Sequence, residues 1–155
     1  MFELVTIHDK KSEAFLRKKA LPIATTDHPT RRFINDMKKT MVAANGIGLA
    51  ANQIGNTGKF FIASHAGKFY VLVNPEIIKS SSEEEVMEEG CLSVPNVYGA
   101  VTRAAHVTIQ GTDIRGKLVK IKAVGLLARI FQHEMDHLNG KLFIDKATDV
   151  YTVKD

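Results

Sequence analysis

Two histidines that stand four residues apart carry the strongest chemical signal in the chain. His133 and His137 occupy positions i and i+4, which stack on one face of an α-helix, so both imidazoles can reach a single metal ion. Glu134 lies on the adjoining flank, where a carboxylate can reach a water at the metal without being a ligand itself. This spacing predicts a helix with two metal ligands and a general base.

The segment around these histidines has the features of a helix. It contains no Gly or Pro between residues 126 and 138, and its apolar residues recur at helical spacings. Asn139-Gly140 supplies a stop signal at its C-terminal end. The start is less well marked, because Ala123-Val124-Gly125 offers no Ser, Thr, Asp or Asn as a cap. We therefore expect a helix with a defined end and a poorly capped beginning.

A catalytic site of the zinc type needs a third protein ligand and an open position. Cys91 is the conspicuous candidate, because it is the single cysteine of the chain and cannot form an internal disulfide. Gly90 precedes it and Pro95 follows, so we expect a tightly turned backbone there. A free cysteine is commonly a buried apolar residue. Beside a histidine pair that lacks a partner, however, a thiolate would complete a tetrahedral site with one open position.

The segment from Gly46 to Gln53 has glycines at a spacing that weakly resembles a dinucleotide-binding fingerprint. Its context argues against that function, because it follows a predicted helix rather than a strand and no acidic residue follows at about 20 residues. Two interpretations stay open. The glycines either let the backbone approach a ligand closely, with the Gln53 amide as a donor, or form a tight turn with an exposed Gln53.

The remaining patterns predict one more helix and several strands. A helix capped by Thr30 should end at Asn45-Gly46. Residues 1–10 should form a short strand or an extended arm. Residues 59–75 should form a hairpin that turns at Ala66-Gly67 and ends at Asn74-Pro75. Further strands are predicted over residues 76–86, with an interruption at residues 80–82, and over residues 105–111 and 117–123. We therefore predict a single α+β domain over residues 1–155, with mostly antiparallel strands around the His-bearing helix and one additional helix in the N-terminal half.

Composition bounds the possible functions. The chain of 155 residues is 45% hydrophobic and 25% charged, which is typical of globular proteins. No apolar run approaches the ~18 residues of a membrane span, and the N-terminus has no secretory pattern, so we expect a cytoplasmic protein without membrane association. The net charge of +4 permits a polyanionic neighbour, but the chain has no Trp and no zinc-finger spacing, so direct nucleic-acid recognition is not expected.

Three stretches together resemble the peptide deformylase family. Residues 46–53 match its Gly-x-Gly-Leu-Ala-Ala-x-Gln motif, residues 89–93 match Glu-Gly-Cys-Leu-Ser, and residues 132–137 match the segment with the metal histidines. All three occur in the family's order, and the similarity runs from the first predicted helix to about Asp145. The pattern His-Glu-x-x-His is shared with many metalloproteases, whereas the three motifs together are highly specific.

The resemblance implies a function and a set of site residues. The reaction would remove the formyl group from the N-terminal methionine of nascent polypeptides and release formate, with Fe²⁺ as the native metal and Zn²⁺, Ni²⁺ or Co²⁺ as alternatives. The implied residues are Cys91, His133 and His137 as metal ligands, Glu134 as general acid and base, Gln53 and the Leu92 N–H at the formyl oxygen, and Ile47, Gly48 and Gly90 at the substrate backbone.

Some positions depart from the family pattern or stay open. Tyr98 stands where some bacterial members have an arginine that holds the peptide, so the resemblance implies no arginine contact with the peptide there. Residues 150–153 favour a short strand, whereas some members have a long basic C-terminal helix for ribosome docking; ribosome proximity stays possible without that element. Asp136 either orients an imidazole or is exposed, and Arg129 either lines the pocket mouth or faces solvent.

Two rival functions share the histidine pattern. A zincin-type metallopeptidase would need a third ligand downstream, yet no His follows Gly140, and the only acids there are Asp145, Asp149 and Asp155. A protein that binds metal without turnover is the second rival, and it would have no need for Glu134.

Overall fold

The computed structural model describes residues 1–154, and this part of the chain forms three α-helices and eight β-strands. The helices are α1 (Lys10–Leu16), α2 (Arg31–Ala43) and α3 (Gly125–Leu138). The strands are β1 (Gly48–Ala50), β2 (Phe60–His65), β3 (Lys68–Ser80), β4 (Glu84–Cys91), β5 (Val94–Ala104), β6 (His106–Thr112), β7 (Leu118–Val124) and β8 (Thr148–Thr152). All paired neighbours among these strands are antiparallel.

The strands form two sheets that both contact α3. The larger sheet has the order β1-β2-β3-β6-β7, and the smaller has the order β4-β5-β8. Phe61 of the larger sheet packs against Phe131 of α3, whereas its neighbour Ile62 packs with Met37 of α2. Because successive residues of a strand point to opposite faces, α3 and α2 cover opposite faces of this sheet. The predicted α+β fold around the His-bearing helix is confirmed, and the single-domain organisation stays a prediction.

Both ends of α3 follow from its sequence. The residue before it, Val124, makes no side-chain cap, as predicted. At the other end, the Gly140 N–H donates to the His137 carbonyl at 3.0 Å and the Lys141 N–H donates to the Asp136 carbonyl at 2.8 Å. This pair of bonds is the Schellman motif, which needs a left-handed residue after the helix, and Gly140 has a φ of 74°. The predicted stop is confirmed.

In the N-terminal half, the strand alternative for residues 1–10 is wrong, whereas the extended-arm alternative is not contradicted over residues 1–6, and a helix that was not predicted begins at Lys10. Residues 1–9 form no strand, and α1 follows them, capped by an Asp9 side chain that accepts from the Ser12 N–H at 2.7 Å. Helix α1 has seven residues and buries only Leu16, which is too little for an apolar period to show in the sequence. The predicted helix capped by Thr30 is confirmed as α2.

The prediction that Asn74-Pro75 ends a strand is wrong. Strand β3 continues to Ser80 across a register shift between Val73 and Glu76, where Asn74 adopts a positive φ of 51°. A proline is tolerated inside a strand at such an irregularity, because no ladder hydrogen bond is required of it. The hairpin turn at Ala66-Gly67 is confirmed, strand β5 was not predicted, and the short strand near residue 150 is confirmed as β8.

The three helices are short, and no helix within residues 1–154 is long and apolar enough to cross a membrane.

Gly140 provides a test of how the end of α3 is fixed. A Cβ at Gly140 would lie 2.2 Å from the Arg17 carbonyl oxygen, whereas a Cβ at Gly55 would meet nothing within 4 Å, although both glycines have positive φ. Gly55→Ala should therefore cost only the left-handed strain of about 1–2 kcal/mol. Gly140→Ala should cost roughly 1–3 kcal/mol more because of the clash. Urea unfolding measures both, and equal losses would show that the contact with Arg17 is unimportant.

Candidate active site

A cleft of about 650 Å³ opens between the two sheets. Residues of β1 and of β4 line it, and each of these strands is at the edge of its sheet. The lining includes Asn45, Gly46, Ile47, Gly48, Gln53, Glu88, Glu89, Gly90, Cys91, Leu92, Tyr98, Leu126, Arg129, Ile130, His133 and Glu134. The structure therefore brings all the predicted site residues to the lining of this cleft except His137, which is buried and contacts the lining residue Cys91.

Three donor atoms of the predicted metal ligands converge at the base of the cleft. The Cys91 sulfur and one ring nitrogen each of His133 and His137 all lie within 4.8 Å of one another, and Cys91 Sγ is 3.2 Å from His137 Nε2. Cys91 reaches this position because the β4–β5 register shifts between Gly90 and Cys91, which confirms the predicted tight turn. A thiolate and two imidazoles at this spacing fit a divalent transition metal.

The two imidazoles lie in different electrostatic surroundings. Burial alone would lower the pKa of His133, but hydrogen bonds with Cys91 and Glu89 outweigh burial and raise that pKa well above its ordinary value. Burial and the nearby charge of His133 lower the pKa of His137 well below its ordinary value. The surroundings thus favour a proton on His133 and disfavour one on His137, and a metal that binds both rings would compete with that proton.

Glu89 holds His133 in place, a role that the sequence analysis missed. The Glu89 Oε1 lies 2.8 Å from His133 Nδ1, so the other ring nitrogen is left for the donor cluster. Burial would raise the pKa of Glu89, but hydrogen bonds from His133 and Arg103 hold it well below its usual range. The carboxylate is therefore charged although it is only 7% exposed. Its position two residues before Cys91, within a matched motif, was the available signal.

Glu134 is a buried carboxylate beside the donor cluster. It is 3% exposed, and its Oε1 has no hydrogen-bond partner among the described residues. Burial raises the pKa of Glu134 to about 7, although the charge of His133 opposes this. A Cβ at Gly48 would lie 2.5 Å from Glu134 Oε2, so the glycine is needed for the carboxylate to fit. An acceptor oxygen with a pKa near 7 is suited to take up and return a proton.

Gln53 is fixed rather than exposed. It lies in a short 3-10 turn after β1 and is 2% exposed, so the interpretation as a turn with an exposed Gln is wrong. Its Oε1 accepts from the Ala50 N–H at 2.9 Å, and its Nε2 donates to Ser93 Oγ at 3.1 Å and lies 3.7 Å from Cys91 Sγ. The amide N–H₂ group is thus held beside the cluster. The contribution of Ser93 was not predicted.

Comparisons with known proteins agree with this geometry. The family model described as Polypeptide deformylase matches residues 1–152. A peptide deformylase from Halothermothrix orenii is 46% identical over 143 residues, which are 91% of this chain and 92% of that protein. The chain belongs to the peptide deformylase family. It is therefore an enzyme that removes the N-formyl group from new polypeptides, and enzymes of this family depend on a metal.

Solved peptide deformylases have the same fold. The enzyme from Thermotoga maritima matches with a TM-score of 0.88 at 36% identity, covering 96% of this chain and 98% of that one. A class I type b enzyme from Acinetobacter baumannii, crystallised with Met-Ala-Ser bound, matches with a TM-score of 0.86 at 32% identity, covering 94% and 98%. The family and the activity that the three motifs implied are confirmed.

The peptidase alternative is not supported by the residues that the structure describes. Asp145 is bound to Arg17 at 2.5 Å, and the donor cluster takes its third member from Cys91 instead of a downstream acid. Asp155, another acid that this alternative allowed, lies outside the described residues.

The structure now places three positions that stayed open in the sequence, and two of them, Arg129 and Tyr98, line the cleft. Arg129 lines the cleft and is buried, so the solvent-facing alternative is wrong. Asp136 contacts Arg103 at 2.9 Å and Lys146 at 2.9 Å, so it is neither simply exposed nor bonded to a ligand imidazole. Tyr98 packs on Gly90, where a Cβ would meet its ring at 2.6 Å.

The raised pKa of Glu134 makes the stability of the metal-free enzyme depend on pH. Because the folded-state pKa of about 7 exceeds the ordinary 4.5, the stabilisation is fully present below pH 4.5 and is lost as pH rises through 7. At about 1.4 kcal/mol per pKa unit, the loss is about 3 kcal/mol. Glu134→Gln should therefore gain about 3 kcal/mol over wild type between pH 4.5 and pH 8, measured by urea unfolding of metal-stripped protein.

The exposed Glu84 provides the control for this measurement, and Glu84→Gln should run parallel to wild type across the same pH range. A Glu134→Gln curve that also runs parallel would contradict the burial argument.

Proposed function

We propose that Cys91, His133 and His137 hold one divalent metal ion and that Glu134 is the general acid and base of deformylation in this enzyme. The observation that carries this proposal is the convergence of three donor atoms within 4.8 Å, next to a buried carboxylate at the base of the cleft. When bound, a divalent ion supplies Lewis acidity, which polarises the formyl carbonyl and makes water a stronger acid. We propose Fe²⁺ as the native ion, with Zn²⁺, Ni²⁺ and Co²⁺ as substitutes.

The substrate peptide lies in this proposal between β1 and β4. Both strands are sheet edges, and an extended peptide can add to such an edge through main-chain hydrogen bonds. Ile47, Gly48 and Gly90 supply the backbone groups, and the apolar side chains of Leu126 and Ile130 in the lining suit a methionine side chain. The relative with Met-Ala-Ser bound supports a methionyl peptide as the occupant.

The chain's own residues then carry the proton and charge movements. Glu134 takes a proton from the attacking water as its oxygen bonds to the formyl carbon, and it returns that proton to the amine nitrogen as the C–N bond breaks. The second water proton leaves when formic acid ionises, so the products are formate, a proton and a free amine. Gln53 Nε2 and the Leu92 N–H donate to the formyl oxygen while it gains negative charge, and each such donor is worth ~10²–10³ in rate.

Formate release is the direct test. Wild-type enzyme should release one formate per formyl-Met-Ala-Ser and leave Met-Ala-Ser intact. Glu134→Ala should retain the metal and lose at least ~10²-fold in kcat, because only the proton transfer is removed. The exposed Glu84→Ala is the control and should keep wild-type kcat. Cleavage of internal peptide bonds without formate would instead support a peptidase.

Gly48 tests whether the position of Glu134 matters as much as its presence. A Cβ at Gly48 meets the buried Glu134 carboxylate at 2.5 Å, whereas a Cβ at Gly46 comes nearest to the end of the flexible Leu92 side chain at 2.7 Å. Gly48→Ala should therefore lower kcat at least ~10-fold by displacing the general base. Gly46→Ala should stay within about 3-fold of wild type. Equal effects of the two variants would contradict this placement of Glu134.

The identity of the metal and the place of action complete the proposal. Activity that is lost in air and restored by Fe²⁺ would identify iron, since Zn²⁺ has no redox chemistry.

We also place the enzyme in the cytoplasm, close to ribosomes that carry formylated chains. Co-sedimentation with such ribosomes checks that location, and recovery only in the free fraction would argue against it.

A further inference from the structure

Arg129 connects the central helix to the small sheet from a buried position. It is 5% exposed and lies one helical turn before His133 on α3. Its Nη1 donates to Glu89 Oε2 at 2.6 Å and to the Val101 carbonyl at 2.9 Å, and its Nη2 donates to the Glu85 carbonyl at 2.9 Å. One guanidinium thus holds α3 against both β4 and β5.

We propose that Arg129 is a positioning residue of the metal centre, an inference that rests on the ligand assignment proposed above. The donor atoms come from two elements, with His133 and His137 on α3 and Cys91 at the end of β4. Their spacing therefore depends on how firmly α3 is held to β4. Arg129 binds β4 at the Glu85 carbonyl and at Glu89, and the second of these stands two residues before Cys91.

The four hydrogen bonds of Glu89 show how this positioning reaches the imidazole. Oε1 accepts from Arg103 Nη2 at 2.9 Å and from His133 Nδ1 at 2.8 Å. Oε2 accepts from Arg103 Nε at 2.5 Å and from Arg129 Nη1 at 2.6 Å. A carboxylate has about four lone-pair sites, so these bonds fill them and fix its rotation. Because His133 Nδ1 bonds to Glu89 Oε1, fixing the carboxylate also fixes the orientation of the His133 ring.

Arg103 cannot replace this function alone. It sits on β5 and reaches α3 through Asp136, whose carboxylate is shared with the more exposed Lys146. Glu89 is paired with both Arg103 and Arg129, whereas Asp136 is paired with Arg103 and Lys146 and has no contact with Arg129. Removing Arg129 takes one of the four donors from the buried Glu89 carboxylate and removes an ion pair that joins it directly to α3, leaving one lone-pair site of a buried charge unfilled.

The guanidinium shape matters beyond its charge. Arg129 bonds three acceptors from two strands, which a planar fork with fixed donor directions can do. A lysine at this position would keep the positive charge, but its single ammonium centre cannot occupy both Nη positions. Arg129→Lys therefore separates an effect of charge from an effect of geometry.

The experiment uses Co²⁺-loaded protein, whose visible spectrum reports ligand geometry. Arg129→Met and Arg129→Lys are compared with wild type, and the exposed Arg115→Met is the control for loss of an arginine. Each variant is measured at the same interval below its own Tm. The readouts are the visible spectrum, the rate of metal loss to a chelator, and kcat and KM for formyl-Met-Ala-Ser.

We expect Arg129→Met to shift the spectrum, to lose metal ~10–100-fold faster, and to lower kcat with KM changed less than about 3-fold. Arg129→Lys should fall between Arg129→Met and wild type, and Arg115→Met should match wild type.

An unchanged spectrum and metal-loss rate in Arg129→Met, with only Tm lowered, would overturn the proposal. If Arg129→Met does not fold, Arg129→Lys decides: a wild-type spectrum would show that charge alone suffices and would equally overturn it. Failure of wild type to bind Co²⁺ or to release formate would refute the proposed function instead.

Discussion

The site depends on the hydrogen-bonded ion pairs that the buried Glu89 carboxylate makes. This carboxylate belongs to β4, it is bonded by arginines from β5 and α3, and it bonds the His133 ring. A charge with so little access to water is tolerated only when it is fully paired and hydrogen bonded. The fold supplies that pairing by packing one helix between two sheets, so the arrangement of the layers and the direction of one imidazole are set by the same group.

Burial also separates the roles of the two carboxylates near the donor cluster. Glu89 is surrounded by cationic donors and stays charged, whereas Glu134 lacks such partners and its pKa rises to about 7. The two carboxylates are similarly buried, yet their pKa values shift in opposite directions because their hydrogen-bond partners differ. In the proposed mechanism, the fixed charge of Glu89 orients the metal centre, and Glu134 carries the exchangeable proton. The two glutamates come from different elements, and only the packing of α3 against β4 brings them close.

Local patterns predicted the parts of this enzyme that depend on local physics. The i, i+4 histidines, the apolar spacing of α3 and the stop at Asn139-Gly140 are properties of one helix, and the sequence showed all of them. The hairpin at Ala66-Gly67 is equally local. The register shift that carries β3 past Pro75 is not, because it depends on pairing with β6, which lies more than 30 residues away.

The site was predictable to the extent that its residues belong to recognisable motifs. Cys91 became a candidate because a histidine pair needs a third ligand. Gln53 was one of two open interpretations of its segment, and the resemblance gave it a role. Arg103 and Arg129 were not assigned a role, because an arginine in a sequence does not show which carboxylate it will meet. Their partner is 14 residues away in one case and 40 in the other, and only the folded chain brings them together.

The acidic side chains of β4 have a consequence for self-association. This strand is the edge of its sheet, and Glu84, Glu85 and Glu88 on it are exposed. An open edge is a template for pairing with another strand, and charged side chains are a common protection against it. Two β4 strands that met edge to edge would bring rows of carboxylates together, and like charges in register repel. The edge can thus remain accessible to a short extended chain while electrostatic repulsion disfavours its stacking into aggregates with other copies of the same protein.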